Sequence, residues 1–381
     1  MALSEIRIIY VVGNLHLGGA QKLVAWLASG LSDRPGFSCS VCCLGEGGAY
    51  RDQLERRGYK VHVLGYKKQP TLKGFATAYR VIRDLRALFK QERVDIVHTY
   101  LFYTGILGRI AARSVGVPII VHSFFRVQYR LQWLTERIMR RITRQYVVDS
   151  FAVRDSVVSQ GGIKASETRV IYNGIDFDDL DSEEVGDLRR DLDLEGAAHV
   201  IGIVAHLSPG KGHSPFLKAF SRVLQTFPET WLLLVGDGPL RDQLETESEE
   251  LGIKGRVLFL GFRSDLVSIL NTIDLLVLSS AWEGFGIVQA EAMYFRVPVV
   301  GTNHGGTREV VRAFETGFLV PYGDVEQLAD ATRLLLGNDE LRAEMGHAGR
   351  ARVLRKFGRK RMLDQYEELY RGLIAETNVA G

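Results

Sequence analysis

The chain has 381 residues, more than one hydrophobic core usually supports, so length alone favours two domains. Its composition, 46% hydrophobic and 24% charged, is that of a globular protein, and no apolar run approaches the roughly 18 residues a membrane-spanning helix needs. Net charge is only +3, yet residues 1–178 carry 26 Lys and Arg against 14 Asp and Glu, a balance of +12, and the remainder carries 22 against 31, or −9. A basic first half suits an anionic partner such as a membrane surface or a phosphorylated acceptor, although two unequal surfaces are the plainer account.

Glu5 and Arg7 interrupt what would have to be an apolar signal region, which points to a cytoplasmic protein. Strand-like runs then alternate with helix-patterned stretches: IRIIYVV (6–12), SVCCL (40–44), KVHVLGY (60–66), DIVHTY (95–100) and PIIVHS (118–123). Near-continuous Val, Ile and Leu strands of this kind belong to a parallel sheet buried on both faces. Cys39, Cys42 and Cys43 fall in one such strand, and their odd number suits reduced, buried thiols better than a disulfide framework or a metal site. A second series follows at 200–205, 231–236, 256–261, 274–280 and 297–302. Between the series lies an acidic segment, poor in large apolar residues, that reads as linker and surface helix.

The fold class is therefore α/β, with two Rossmann-like, doubly wound parallel-sheet domains facing across a cleft. The boundaries fall at 1–176 and 177–356, with a last amphipathic helix within 357–381; the pattern alone does not show where that helix docks, and the expectation is that it returns to the first domain. Its apolar stripe is Met362, Tyr366, Leu369 and Leu373.

The segment SSAWEGFGIVQAEAM carries the most chemistry. A buried strand ends, a glycine loop turns, and a helix opens near Ile287. Gly284 and Gly286 let the backbone approach a ligand, and unpaired N–H groups at the helix start receive phosphate oxygens. Glu291, just over a turn into the helix, is placed to accept ribose hydroxyls, and Glu283 to meet a sugar. A surface loop with a helix-borne Glu is the bland alternative.

With LHLGGAQK, DIVHTY, RVIYNGID, HLSPGKGH, LLLVGDGPLRDQL, NHGGTREVV and TGFLVPYGDVEQLA, this E-x7-E segment resembles the retaining glycosyltransferases of family four, which have the GT-B fold. The resemblance covers almost the whole chain. It implies sugar transfer from a nucleotide donor, a UDP-sugar being the commonest, with anomeric configuration kept and with no metal ion or other cofactor. The acceptor would be a glycan, a lipid-linked compound or a small molecule. Asp176-Phe177-Asp178 spells the metal motif of the other major glycosyltransferase fold, but it reads as linker. The resemblance places Lys211 at the donor diphosphate, where a fixed ammonium stabilises the leaving group. It puts the Glu283–Glu291 segment, Phe285 included, around the donor. Relatives carry an arginine five residues before that lysine; here the position is His206, which is shorter and cannot fork. Either His206 binds a phosphate oxygen more weakly, or Arg308 or another basic residue takes over.

Gly18 and Gly19 follow the first strand, where the resemblance implies the acceptor and phosphate loop; a plain tight turn would also explain them. His98 and His122 stand near the carboxyl ends of parallel strands, where open α/β sheets bind ligands, and a structural role is the alternative for each. Relatives carry a histidine in the loop after the PIIV strand. This chain has VHSFFR, so His122 serves, or Arg126 replaces it, or the donor phosphate itself acts as base.

The run RVQYRLQWLTERIMRRITRQY holds six arginines within 126–144, interleaved with Trp133, Leu134, Ile138 and Met139. It suits peripheral contact with an anionic membrane, or a solvated helix face; nucleic acid is disfavoured for want of a binding signature. The rival functions are a nucleotide-sugar epimerase of the same architecture and a non-catalytic sugar-nucleotide-binding protein.

Overall fold

The computed structural model describes residues 5–16, 18–66, 75–124 and 130–380. The chain divides into two compact units, Met1–Gly174 with Arg359–Gly381, and Ile175–Gly358.

In the first unit, β1 (Ile6–Val12), α1 (Gly19–Ser32), β2 (Phe37–Cys43), α2 (Ala49–Arg56), β3 (Lys60–Val63), α3 (Phe75–Gln91), β4 (Ile96–Tyr100), α4 (Phe102–Ser114), β5 (Ile119–Phe124), α5 (Arg130–Met139), β6 (Gln145–Val148), α6 (Phe151–Gly161) and β7 (Thr168–Val170) follow in order. The strands form one sheet in the order β3-β2-β1-β4-β5-β6-β7, and every pairing is parallel. β1 and β4 are buried almost throughout, because helices cover both faces; that is why their sequences are apolar without alternation. The Ser150 hydroxyl caps α6 by accepting the Val153 N–H at 3.1 Å, and Gly162 ends that helix in the left-handed region. The three cysteines are buried, unbonded thiols, and burial pushes Cys39 and Cys43 up to about 12. The last helix, α16 (Arg359–Ala380), packs into this unit's core through Met362, Tyr366, Tyr370 and Leu373.

The second unit holds α7 (Phe177–Ser182), α8 (Leu188–Asp191), β8 (His199–Val204), α9 (His213–Val223), β9 (Thr230–Val235), α10 (Arg241–Glu250), β10 (Val257–Gly261), α11 (Leu266–Thr272), β11 (Leu275–Leu278), α12 (Ile287–Tyr294), β12 (Val299–Thr302), α13 (Thr307–Val310), β13 (Gly317–Val320), α14 (Val325–Leu336) and α15 (Asp339–Lys356). Its sheet order is β10-β9-β8-β11-β12-β13, again parallel. Asp176 is the N-cap of α7, so Asp176-Phe177-Asp178 opens a helix rather than lying in extended linker.

In both sheets the strand order reverses beside the first strand, between β1 and β4 and between β8 and β11. Loops leaving the carboxyl ends there diverge to opposite faces and open a crevice, the usual ligand position in such sheets. Among the described residues no helix is long and apolar enough to cross a membrane, and no cluster of His, Cys, Asp or Glu is placed to hold a metal ion.

Candidate active site

The second unit's crevice is bounded by the β8–α9 loop and the β11–α12 loop, which are joined at several points. Ala281 N–H donates to the Gly210 carbonyl at 2.8 Å, and the Ser279 hydroxyl donates to the Gly212 carbonyl at 2.8 Å. Gly212 has φ +76, and a Cβ there would stand 1.9 Å from the Ser279 carbonyl oxygen, so only glycine permits the junction. Across it, Lys211 Nζ donates to Glu283 Oε1 at 2.7 Å. Both side chains are largely shielded, at 25% and 12% exposure, which fixes a cation and a carboxylate beside the crevice.

α12 opens at Ile287 after Gly286, whose φ is +76. Glu291 lies one turn in and is buried. Phe285, in the segment that the resemblance puts around the donor, has its ring in the core, edge-on to Phe357 with ring centroids 5.2 Å apart. Behind the loop stand two glycines that sequence reading passed over. Gly306 N–H donates to the Glu283 carbonyl at 2.8 Å, and Cβ atoms at Gly305 and Gly306 would lie 2.4 and 1.6 Å from the carbonyl oxygens of Glu283 and Gly284. The signal was the glycine pair in NHGGTREVV, at the end of the neighbouring strand. Trp282 packs edge-on against His304 from that same loop, with centroids 4.9 Å apart.

His206 is exposed, and its Nδ1 is hydrogen-bonded to the Asp237 carbonyl. Arg308 is exposed on the short α13.

In the first unit Gly18 and Gly19 are exposed where α1 begins. The two histidines both lie in the core. His98 lies mid-strand in β4 rather than at its carboxyl end and is fully buried. Its Nδ1 meets the Tyr370 hydroxyl at 2.6 Å, its Nε2 meets the Ser123 hydroxyl at 2.8 Å, and its ring stacks on Tyr100. Burial pushes it down to about 3, so it stays neutral and joins α16 to the sheet. His122 is also buried. Its Nδ1 meets the Thr99 hydroxyl at 2.8 Å, and its ring lies against Gly105, where a Cβ would stand 2.4 Å from Cε1. Burial first, and then the Arg109 charge, hold it well below the ordinary imidazole range. Both rings are structural parts of the core. Phe125 and Arg126 lie outside the described residues.

The arginine-rich run is divided in purpose. Trp133 is buried, and Glu136, also buried, takes a bidentate pair from the buried Arg109, with Nη1–Oε2 at 2.7 Å and Nη2–Oε1 at 2.6 Å. Arg140 pairs with Glu167, and Arg144 with Glu376 on α16. Leu134 and Ile138, 56% and 55% exposed, share an outer stripe with Arg137 and Arg141.

Two doubly wound parallel sheets in one chain, each with its strand order reversing beside its first strand, are the architecture of the GT-B class of sugar transferases. Residues 185–352 match the family described as Glycosyl transferases group 1, and residues 17–179 match Glycosyltransferase Family 4. The chain is 31% identical to the N-acetyl-alpha-D-glucosaminyl L-malate synthase of Bacillus anthracis, over 75% of this chain and 77% of that one. It is 28% identical to the UDP-Gal:alpha-D-GlcNAc-diphosphoundecaprenol alpha-1,3-galactosyltransferase of Escherichia coli, over 97% and 98% of the two chains. Among solved structures, Anabaena HepE in complex with UDP matches with a TM-score of 0.80 at 25% identity, over 97% of this chain and 100% of that one. The chain belongs to the group 1, family four glycosyltransferases, and it is a hexosyltransferase-type enzyme.

Proposed function

We propose that this enzyme transfers a hexose from a UDP-sugar to a glycan, lipid-linked or small-molecule acceptor, with retention of anomeric configuration and without a metal ion. The observation that carries the reading is the Lys211–Glu283 contact at the β8–β11 reversal, beside the start of α12. UDP is favoured because a UDP-sugar is named in the E. coli relative and UDP in the HepE complex; the E. coli relative's name also includes a lipid diphosphate.

In this reading Lys211 and the N–H groups opening α12 take the diphosphate, Glu291 the ribose, and Glu283 with the backbone of Gly284 to Gly286 the donor sugar. The loop of Gly18 and Gly19 meets the acceptor. The bond from the anomeric carbon to the diphosphate oxygen breaks while the acceptor oxygen bonds that carbon on the same face. The acceptor's proton passes to a donor phosphate oxygen, since the His98 and His122 rings are spent on core contacts. The protein's own contribution is positioning and charge stabilisation, so no enzymic nucleophile is needed.

The stripe of Leu134, Arg137, Ile138 and Arg141 supports peripheral contact with the anionic inner face of a membrane, where a cytoplasmic donor and a lipid-linked acceptor would meet. Proton NMR of the first-formed product from a UDP-sugar tests the central reading. The expected result is an anomeric coupling constant matching the donor's configuration. An inverted anomer contradicts retention, and an epimerised sugar formed without acceptor contradicts transfer altogether.

A further inference from the structure

Gln289 is the third residue of α12 and is fully buried beneath the glycine loop that precedes that helix. Its Nε2 stands 3.3 Å from the Phe285 carbonyl oxygen and 3.4 Å from the Thr307 hydroxyl on α13, one acceptor for each of the two amide hydrogens. The Phe285 oxygen only accepts, so the amide is held with its nitrogen toward the loop. The backbone N–H of Gln289 donates to the Gly286 carbonyl at 3.0 Å, and a Cβ at Gly286 would stand 2.1 Å from Nε2. One residue thus holds the carbonyls on both sides of Gly286.

Among the described residues the Gln289 Oε1 is a buried acceptor without a partner. An unmade hydrogen bond in the core costs stability, and an apolar side chain of similar volume would fill the space without that cost. Packing alone therefore does not call for an amide here; the loop does. A peptide unit is planar and trans, with its carbonyl and its N–H on opposite edges. Holding the Phe285 carbonyl inward turns the Gly286 N–H outward, to the crevice. The Glu283 carbonyl is held from behind in the same way, by the Gly306 N–H at 2.8 Å, which turns the Gly284 N–H outward. Among the described residues neither of these glycine N–H groups meets a protein acceptor.

We propose that Gln289 is a positioning residue for the transfer: its amide fixes the Phe285–Gly286 peptide so that the Gly286 N–H meets the oxygen joining the donor's sugar to its diphosphate. The inference rests on the reading that this loop takes the donor sugar and the start of α12 the diphosphate, since Gly286 stands at the join of the two. That oxygen carries little charge in the intact donor and gains negative charge as its bond to the anomeric carbon breaks. An N–H already aimed at it favours the transition state and the released nucleotide over the bound donor. Gln289 itself touches no substrate and acts only through the peptide.

Calorimetric titration of the full chain with UDP and with UDP-galactose, UDP-glucose and UDP-N-acetylglucosamine tests this, because UDP ends in the charged oxygen that the intact sugar nucleotides lack. Gln289→Met and Gln289→Leu fill the space but remove the N–H donor. Each should bind UDP about tenfold more weakly than the native chain does, and the best-bound UDP-sugar within about twofold of native. A pocket merely loosened by the substitution would lose UDP and the UDP-sugar alike. Unchanged UDP affinity, or UDP-sugar affinity that falls as far as UDP affinity, overturns the proposal alone and leaves the donor reading in place. Failure of both variants to fold makes Gln289 a structural residue and overturns it as well. Failure of the native chain to bind UDP, or to bind any of the three UDP-sugars, contradicts the UDP-donor reading, and the proposal falls with it.

Discussion

Lys211 Nζ sits 2.7 Å from Glu283 Oε1, a contact that ties the loop after β8 to the loop after β11 across the reversal of strand order. The two residues are 72 positions apart, and each is held by backbone junctions that admit only glycine at Gly212 and Gly306. A cation so placed is aimed before any ligand arrives, which is what transition-state stabilisation requires. Lys211→Ala should cost about 2–3 kcal/mol of transition-state stabilisation, or roughly 30- to 150-fold in kcat/KM. Steady-state rates on a UDP-sugar measure it. An unchanged kcat/KM would remove Lys211 from the diphosphate site.

The Arg109–Glu136 pair is buried on both sides and bidentate, and it anchors α5 to α4. Glu136→Ala leaves a guanidinium unpaired in the core and should destabilise the protein by about 3–5 kcal/mol, whereas Arg109→Met with Glu136→Leu should recover most of the loss. Urea unfolding midpoints give both numbers. A single substitution costing under about 1 kcal/mol would contradict the anchoring role.

Buried neutral histidines make stability depend on pH. His98 is held down to about 3 by burial, below the ordinary imidazole value of 6.5, so between those values the unfolded chain binds the extra proton. Its contribution is fully present above pH 6.5 and is lost as pH falls toward 3. At pH 5 the loss from His98 should be on the order of 2 kcal/mol. His122 and His213, both lowered by burial, act in the same direction. Unfolding midpoints at pH 7 and pH 5 should differ less in His98→Gln than in the native chain; equal differences would exclude His98 as a source.

What the sequence disclosed, and what it hid, follows from range. The strands were readable because burial on both faces leaves an apolar run that needs no partner to identify, as in IRIIYVV and WLLLVG. The start of α12 was readable because Gly284 and Gly286 mark the turn before it, whereas Lys211 stood out only through the family resemblance. His98 and His122 looked like ligands because both lie on strands of an open sheet. Their burial depends on Tyr370, 272 residues away, and on the helix glycine Gly105, neither of which a local pattern reveals. Phe285 sits between two glycines, and its core partner Phe357 is far along the chain, so the burial of its ring could not be read locally. Glu136 is the one acid in the run of six arginines, and only the fold shows that Arg109 claims it.

The central claim, that the β8–β11 crevice of this unit seats a nucleotide-sugar diphosphate, is tested most directly by thermal unfolding with UDP, GDP and ADP. A ligand that binds only the folded state at about 100 times its Kd adds roughly 2.7 kcal/mol and raises Tm. The account predicts a clear rise with UDP for the native chain, a smaller one for Glu291→Gln and almost none for Lys211→Ala. No rise with any of the three nucleotides, or a rise that Lys211→Ala leaves intact, would contradict it.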